Sequence, residues 1–278
     1  MIRVKDLTKK YGNIHALKGV TIEINDKVTS IIGRNGAGKT TFIRILSTQL
    51  KPTSGSVNIN GMDIDSDINK IRKIILSIPQ EAQPVGIMTP LEHLELYLIA
   101  KGYSLSEARR EGRYALEELE MEEFKDVPCD ELSGGMKRKV FVAMALASKV
   151  DIVFLDEPTT GLDPLSRMEV WNSIRKLDSN IILTTHYMEE ASELSNKVIV
   201  FNEGQVVSQG TVRDLLAPFK NKVRVEKTNG EEYDVKIGKL SIKYVPNDRA
   251  QEYLSKGYDV KNITLDDLFI SRGVTLES

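Results

Sequence analysis

Val28-Thr29-Ser30-Ile31-Ile32-Gly33-Arg34-Asn35-Gly36-Ala37-Gly38-Lys39-Thr40-Thr41 is the stretch on which the fold turns. A short apolar run leads into Gly33–Thr40, which fits GxxxxGK[ST] without a mismatch, and a helical pattern from Thr41 to Leu50 follows. That strand–loop–helix order is the context the motif requires. The glycines let the backbone N–H groups from Gly33 through Arg34, Asn35, Gly36, Ala37 and Gly38 curl around a polyphosphate. The helix N-terminus adds its partial positive charge. In this reading Lys39 reaches the β- and γ-phosphates, Thr40 ligates Mg2+ and Thr41 touches the α-phosphate.

Outward from that loop, Ile74–Ile78, Ile152–Leu155, Ile181–Leu183 and Val198–Phe201 read as further buried strands. Helical stretches alternate with them, which predicts an α/β fold on a mostly parallel sheet. Between Glu81 and Leu132 the pattern turns helical. Thr89-Pro90-Leu91-Glu92 combines an N-cap, a proline at the first helical position and a capping-box Glu, and Ser104 with Glu107 repeats the box before a helix expected to run through Met121. After Pro218 the character changes. Val223, Val225, Tyr233, Val235 and Ile237 alternate with polar residues around Asn229-Gly230, which predicts a hairpin there. A strand near Ile242–Val245, a helix stopped by Gly257 and a last helix capped by Thr264 complete a small α+β unit. The expected division is 1–218 for the main domain, with a helical subdomain at about 81–132, and 219–278 for an accessory domain.

Composition removes several classes. The 278 residues are 41% apolar and 28% charged, ordinary values for a globular chain and unlike a disordered one. The longest apolar run, Val140–Ala147, is far short of the roughly 20 residues a membrane span needs. The opening MIRVKDLTKKYG has no apolar signal region, so a cytoplasmic protein is expected. One cysteine, Cys129, excludes an intrachain disulfide and a cysteine zinc cage. With 38 basic against 40 acidic residues there is no global electrostatic case for nucleic acid, and none is expected as a partner. The run Lys137-Arg138-Lys139 reads as a solvated helix face.

The second chemical element is Asp151–Pro158, an apolar strand ending in two acids. A carboxylate at the carboxyl end of a buried strand sits where open α/β sheets bind ligands. Asp156 is placed to hold Mg2+ opposite Thr40, and Glu157 to polarise a water for attack on the γ-phosphate. Asp163-Pro164 then opens a helix whose Leu165, Met168, Trp171, Ile174 and Leu177 form a core-packing stripe. His186 follows the strand Ile181–Thr185, at the same end of the sheet as Asp156.

Leu132-Ser133-Gly134-Gly135-Met136, lying between the phosphate loop and the acidic strand, completes a set of motifs that resembles the ATP-binding subunits of ABC transporters. The resemblance runs from Tyr11 to His186 in motifs and over about the first 215 residues in organisation. It implies a P-loop ABC-type ATPase domain that binds ATP and Mg2+. It makes Tyr11 the aromatic that stacks on adenine and Gln80 the glutamine that senses Mg2+ and faces the membrane partner. Ser133, Gly134 and Gly135 look like the signature that closes on the γ-phosphate held by a second subunit. Asp163 falls in the loop that crosses the dimer interface, and His186 is similar to the switch histidine beside the γ-phosphate and attacking water. Ser133 can also cap the helix through Val140–Ala147, leaving free N–H groups to face an anion. Its own subunit's phosphate loop serves a different nucleotide, so that anion is expected from another chain. The family's commonest fifth signature residue is Gln. Met136 stands here and cannot complete an S-x-x-Q capping box.

The segment Leu183–Ala191 and the tail Asn262–Phe269 resemble the subgroup serving drug, antibiotic, lipid or sodium exporters. The expectation is an ATPase, working as a homodimer, that powers a separate membrane permease from the cytoplasmic face of the cell membrane. A soluble ABC ATPase acting on DNA or ribosomes is the alternative. Such proteins carry long coiled-coil insertions or paired cassettes, and neither is found in this sequence. A regulatory switch that hydrolyses little is a third reading, opposed by Glu157 and His186.

Overall fold

The computed structural model describes residues 1–271. A six-stranded sheet lies at its centre, in the order Gln205–Gly210, Lys197–Asn202, Val28–Ile32, Asn180–Thr185, Ile152–Asp156, Ile75–Ile78. All neighbours pair in parallel except the edge strand Gln205–Gly210. The central strands are apolar on both faces because both faces are covered. Ile152 and Phe154 point into one buried cluster and Val153 and Leu155 into another.

The first cluster holds the helix Lys39–Leu46 against the sheet. Its Phe42, Ile43, Ile45 and Leu46 are buried, with the Phe42 and Phe201 rings 5.1 Å apart. An antiparallel sheet, ordered Ile14–Ile24, Ile2–Tyr11, Ser54–Ile59, Met62–Asp63, closes over that helix with Val4, Leu7, Leu17 and Val20. Sequence patterning did not reveal these strands. Their turn is the dipeptide Gly12-Asn13 between the paired Tyr11 and Ile14, a legible hairpin signal that went unread. The helix begins at Lys39 rather than Thr41 and ends at Leu46 rather than Leu50.

The second cluster packs four helices on the opposite face: Pro90–Ala100, Leu105–Glu118, Gly134–Ser148 and Pro164–Arg175. Capping boxes start the first two, from Thr89 with Glu92 and Ser104 with Glu107. Residues 79–88 reach this helical layer as a loop, and 3-10 turns at Glu122–Phe124 and Cys129–Glu131 lead out of it. The second helix stops at Glu118, short of Met121. In Pro164–Arg175 the expected core stripe divides. Trp171, Ile174 and the following Leu177 are buried, whereas Leu165 and Met168 are 67% and 56% exposed beside the helix start.

A third sheet, wholly antiparallel, is ordered Val235–Ile237, Leu240–Pro246, Lys222–Thr228, Asp259–Lys261. The hairpin does not turn at Asn229-Gly230. Lys222–Thr228 pairs with Leu240–Pro246, and the tight turn is Gly238-Lys239, between the paired Ile237 and Leu240, with Gly238 at φ +58°. Gly230 instead backs onto Tyr258, whose hydroxyl would lie 2.8 Å from a Cβ there. The last helix is the short Asp267–Ile270, and Thr264 does not cap it. The roles are reversed: the Asp267 carboxylate accepts from the Thr264 amide at 2.8 Å.

Asp267 also ties this tail to the third sheet, accepting from the Tyr244 hydroxyl at 2.8 Å and from Arg224 Nη1 at 3.1 Å. That anchor directs Leu265 and Phe269 into a buried cluster with Ile32, Met188, Val198, Val200 and Leu215. Ile32 immediately precedes the phosphate loop, so Leu265 and Phe269 pack behind the site. Phe269→Ala is expected to cost about 3–5 kcal/mol, seen as a lower urea midpoint, and a chain ending at Pro218 should unfold earlier still. A Phe269→Ala midpoint equal to that of the parent would mean the tail is not held on the core.

Candidate nucleotide site

Four of the five parallel strands deliver a candidate residue at the carboxyl end, the side on which open α/β sheets bind ligands. Ile32 is followed by Gly33, Ile78 by Pro79 and Gln80, and Thr185 by His186, while Asp156 ends its own strand. A cavity of about 300 Å3 opens there, lined by Ala16, Asn35, Gly36, Gly38, Lys39, Thr40, Thr41, Gln80 and Glu157. Arg34 and Ala37 line a smaller adjoining hollow with Asn35 and Gly36.

Two glycines are required by close approach. A Cβ on Gly33 would sit 2.4 Å from the Phe201 carbonyl oxygen, and one on Gly38, at φ +100°, would sit 2.6 Å from that of Ala16. The loop is thus clamped between the neighbouring strand and the N-terminal hairpin. Lys39 folds back inside it, donating to the Gly33 and Arg34 carbonyls at 2.8 and 3.2 Å, with Glu157 Oε1 4.0 Å away. Burial lowers the Lys39 pKa, while Glu157 and Asp156 draw it back up. A buried ammonium hydrogen-bonded to loop carbonyls, with the Glu157 carboxylate at ion-pair distance, is suited to receive an anion.

Asp156 Oδ1 accepts from the Thr40 hydroxyl at 3.1 Å and from the Thr184 hydroxyl at 2.5 Å. Glu157 takes a left-handed backbone, φ +49°, and its N–H donates to Thr184, to the carbonyl at 3.1 Å and the hydroxyl at 3.0 Å. For a non-glycine residue this geometry costs roughly 1–2 kcal/mol, offset by the two bonds. The Glu157 carboxylate is then held at Oε2 by Thr160 Oγ1 and His186 Nδ1, each at 2.9 Å. The result is a nearly buried carboxylate with one oxygen near Lys39 and the other on a histidine, on the rim of an anion-sized cavity. Such a carboxylate can take a proton from water. Nothing in the sequence pattern marked Thr184 or Thr160. Their signal was position: Thr184 is the residue registered with Asp156 across the parallel pair.

The remaining candidates lie elsewhere. Tyr11 ends its strand 47% exposed and is not among the residues lining the cavity, which Ala16 of the same hairpin does line. Ser133 caps the helix Gly134–Ser148, its hydroxyl accepting from the Met136 amide at 3.2 Å, and no reciprocal box forms because the Met136 side chain, packed against the core, has no oxygen to accept from the Ser133 amide. Ser133 lines a separate cavity with Met136, Lys139 and Ser166. Gly134 and Gly135 lie against Leu162 and Ser166, where Cβ atoms would approach to 3.1 and 2.9 Å. Asp163 caps the helix Pro164–Arg175 by accepting from the Leu165 and Ser166 amides, each at 3.1 Å; the Ser166 side chain first, then these amides, hold its carboxyl below the usual range.

Three charged residues were misread or missed. Lys137-Arg138-Lys139 is not a solvated face: Lys139 is buried and Arg138 donates to the carbonyls of Gln80 and Ala82. Glu190, on the helix after His186, is fully buried and accepts from Thr159 Oγ1 at 2.6 Å and Trp171 Nε1 at 2.9 Å. Burial pushes its carboxyl up against those hydrogen bonds. Trp171 therefore serves to pin the helix that Asp163 opens.

A cradle for an anion, backed by a carboxylate pair on a parallel sheet, is the arrangement of a P-loop nucleoside triphosphatase, and comparison with known proteins narrows the class. The profile described as ABC transporter matches residues 17–160. A daunorubicin resistance ATP-binding protein of Streptomyces coeruleorubidus is 34% identical over 238 residues, 84% of this chain and 72% of that protein. ATP-binding cassette sub-family A member 9 of Homo sapiens is 36% identical over 219 residues, 76% of this chain but only 14% of that protein. A dimeric cassette solved in a post-hydrolysis state with ADP and Pi aligns at a TM-score of 0.68 and 31% identity, over 77% of this chain and 99% of that one. The chain belongs to the ABC transporter family and carries its ATP-binding cassette. No helix among the described residues is long and apolar enough to cross a membrane.

Thr184→Val keeps the shape of the side chain but removes the hydroxyl shared by Asp156 and Glu157. The expected loss is about 1–3 kcal/mol, the cost of leaving a buried polar group short of a partner, read as a lower urea midpoint. An unchanged midpoint would remove Thr184 from its place at the centre of the site.

Proposed function

We propose that this chain is the ATP-hydrolysing subunit of an exporter, acting as a head-to-tail pair of cassettes beneath a separate membrane-spanning permease at the cytoplasmic face. The observation that carries the pairing is the separation of Ser133 from the phosphate loop. Within one chain the signature and the loop line different cavities. A capped helix end with free N–H groups is then available to a phosphate supplied by a second copy. The drug-resistance relative supports export.

In this reading the ammonium of Lys39 leaves its loop carbonyls for the β- and γ-phosphates, and Tyr11 at the hairpin end offers its ring to the adenine. The oxygen donors suit a hard divalent cation: the Thr40 hydroxyl and Asp156 already share a hydrogen bond, and Gln80 lines the same cavity. Those residues would hold Mg2+, which when bound neutralises charge on the phosphate oxygens. Glu157 orients the attacking water and takes its proton. His186 steadies that carboxylate through Nδ1 and keeps its other ring nitrogen for the phosphate or the water. Ser133, Gly134 and Gly135 of the partner copy close the site, with Asp163 shaping the loop between them. Residues 1–218 form the ATPase part. Residues 219–278 are accessory, with no phosphate-binding constellation among the described residues, and brace the back of the site through Leu265 and Phe269.

Glu157→Gln keeps the hydrogen-bonding shape and removes the base, so hydrolysis should fall by roughly 10²–10⁴-fold while ATP still binds. Sedimentation with ATP and Mg2+ should then find dimers accumulating, and adding Ser133→Arg should disperse them. A Glu157→Gln variant saturated with ATP yet monomeric, with and without its co-purified membrane partner, would contradict the paired site.

A further inference from the structure

The loop that carries Gln80 draws its outward bonds from one side. Arg138, in the second turn of the helix Gly134–Ser148, donates from Nη2 to the Gln80 carbonyl at 2.8 Å and from Nη1 to the Ala82 carbonyl at 3.1 Å. Farther along, the Gly86 carbonyl accepts from the Asp130 amide at 3.0 Å and the Met88 carbonyl from the Cys129 amide at 2.9 Å. The Val85 backbone meets the ring of His93, its amide 2.8 Å from Nε2. All of these partners belong to the helical layer. From the sheet side, among the described residues, the loop receives the exposed ion pair of Arg44 with Glu81 at 3.9 Å, a contact of little energetic worth.

We propose that Arg138 is a positioning residue that ties Gln80, on the wall of this chain's own phosphate cavity, to Ser133, the helix end that serves the partner's nucleotide. The inference rests on the paired-cassette reading and adds to it a route between the two half-sites. Five helical residues, roughly 7 Å of rise, separate Ser133 from Arg138. A helix end drawn onto a phosphate therefore carries the Arg138 fork with it. The planar guanidinium holds two carbonyls at once and so fixes the direction of the Gln80 backbone as well as its distance. A lysine ammonium is a single point and holds one. Arg138 donates to the Gln80 and Ala82 carbonyls, so it acts on the cavity through the loop that carries Gln80.

The test uses the full chain with Arg138→Met, which keeps the apolar stem, and Arg138→Lys, which keeps the charge. A fluorescent ATP analogue is titrated with Mg2+ present and again in EDTA, and the ATPase rate is followed against ATP concentration. In EDTA the Arg138→Met variant should bind like the parent. With Mg2+ it should lose the extra affinity the parent shows, by about fivefold or more, the lower end of a usual coupling. Its rate should also lose sigmoidal dependence on ATP, and Arg138→Lys should recover part of both. A parent-like Mg2+ increment in Arg138→Met would overturn the proposal. An equal loss of affinity in EDTA would also overturn it, by making Arg138 a general support of the fold. The binding arm needs no hydrolysis. A chain that binds with the predicted Mg2+ dependence but is inactive in both parent and variant would count against the ATPase reading and leave the latch standing.

Discussion

One threonine hydroxyl organises the chemistry. Thr184 sits on the central strand, donates to Asp156 and accepts from the amide of Glu157, so its single proton and a lone pair are both used. Just beyond those contacts Glu157 leaves the strand in a left-handed conformation, and its side chain lines the cavity. Thr40, bonded to the same Asp156 oxygen, brings the start of the phosphate-loop helix into register with the acidic pair. Two strands and a helix thus meet on a few atoms. Removing the parallel pairing of Asn180–Thr185 with Ile152–Asp156 would dissolve the site before it touched the phosphate loop.

Much of this was legible because the elements that bind phosphate are local. Gly33–Thr40 carries its own strand, turn and helix start, and the acidic strand announces itself by an apolar run ending in Asp156 and Glu157. What stayed hidden depends on contacts between distant segments. Arg138 looked like one charge in a basic run because nothing in the run shows that two loop carbonyls, more than fifty residues upstream, lie within its reach. Leu165 and Met168 fit a helical period, yet the period fixes only which residues share a face and not whether another element covers it. Asn229-Gly230 is a strong turn dipeptide. The pairing of Lys222–Thr228 with Leu240–Pro246 overrode it, and Gly238 took the turn.

The uncovered side chains fit the proposed sharing of the site between two copies. Leu165 and Met168 are exposed next to Asp163, and Gly134 and Gly135 pack against Leu162 and Ser166. The signature and the helix opened by Asp163 therefore present a common surface with apolar residues on it. Glu190 secures the inner side of that surface, holding Thr159 just after the acidic pair and Trp171 on the helix itself. A second copy docked there would cover what a lone chain leaves open.

The most direct measurement is the specific ATPase activity of the full-length chain as a function of its own concentration, with ATP and Mg2+ saturating. A site assembled from two copies requires activity per chain to rise as the chains are concentrated and to level off once pairs predominate. Constant activity per chain down to concentrations at which sedimentation shows only monomers would mean that one copy holds a complete catalytic site.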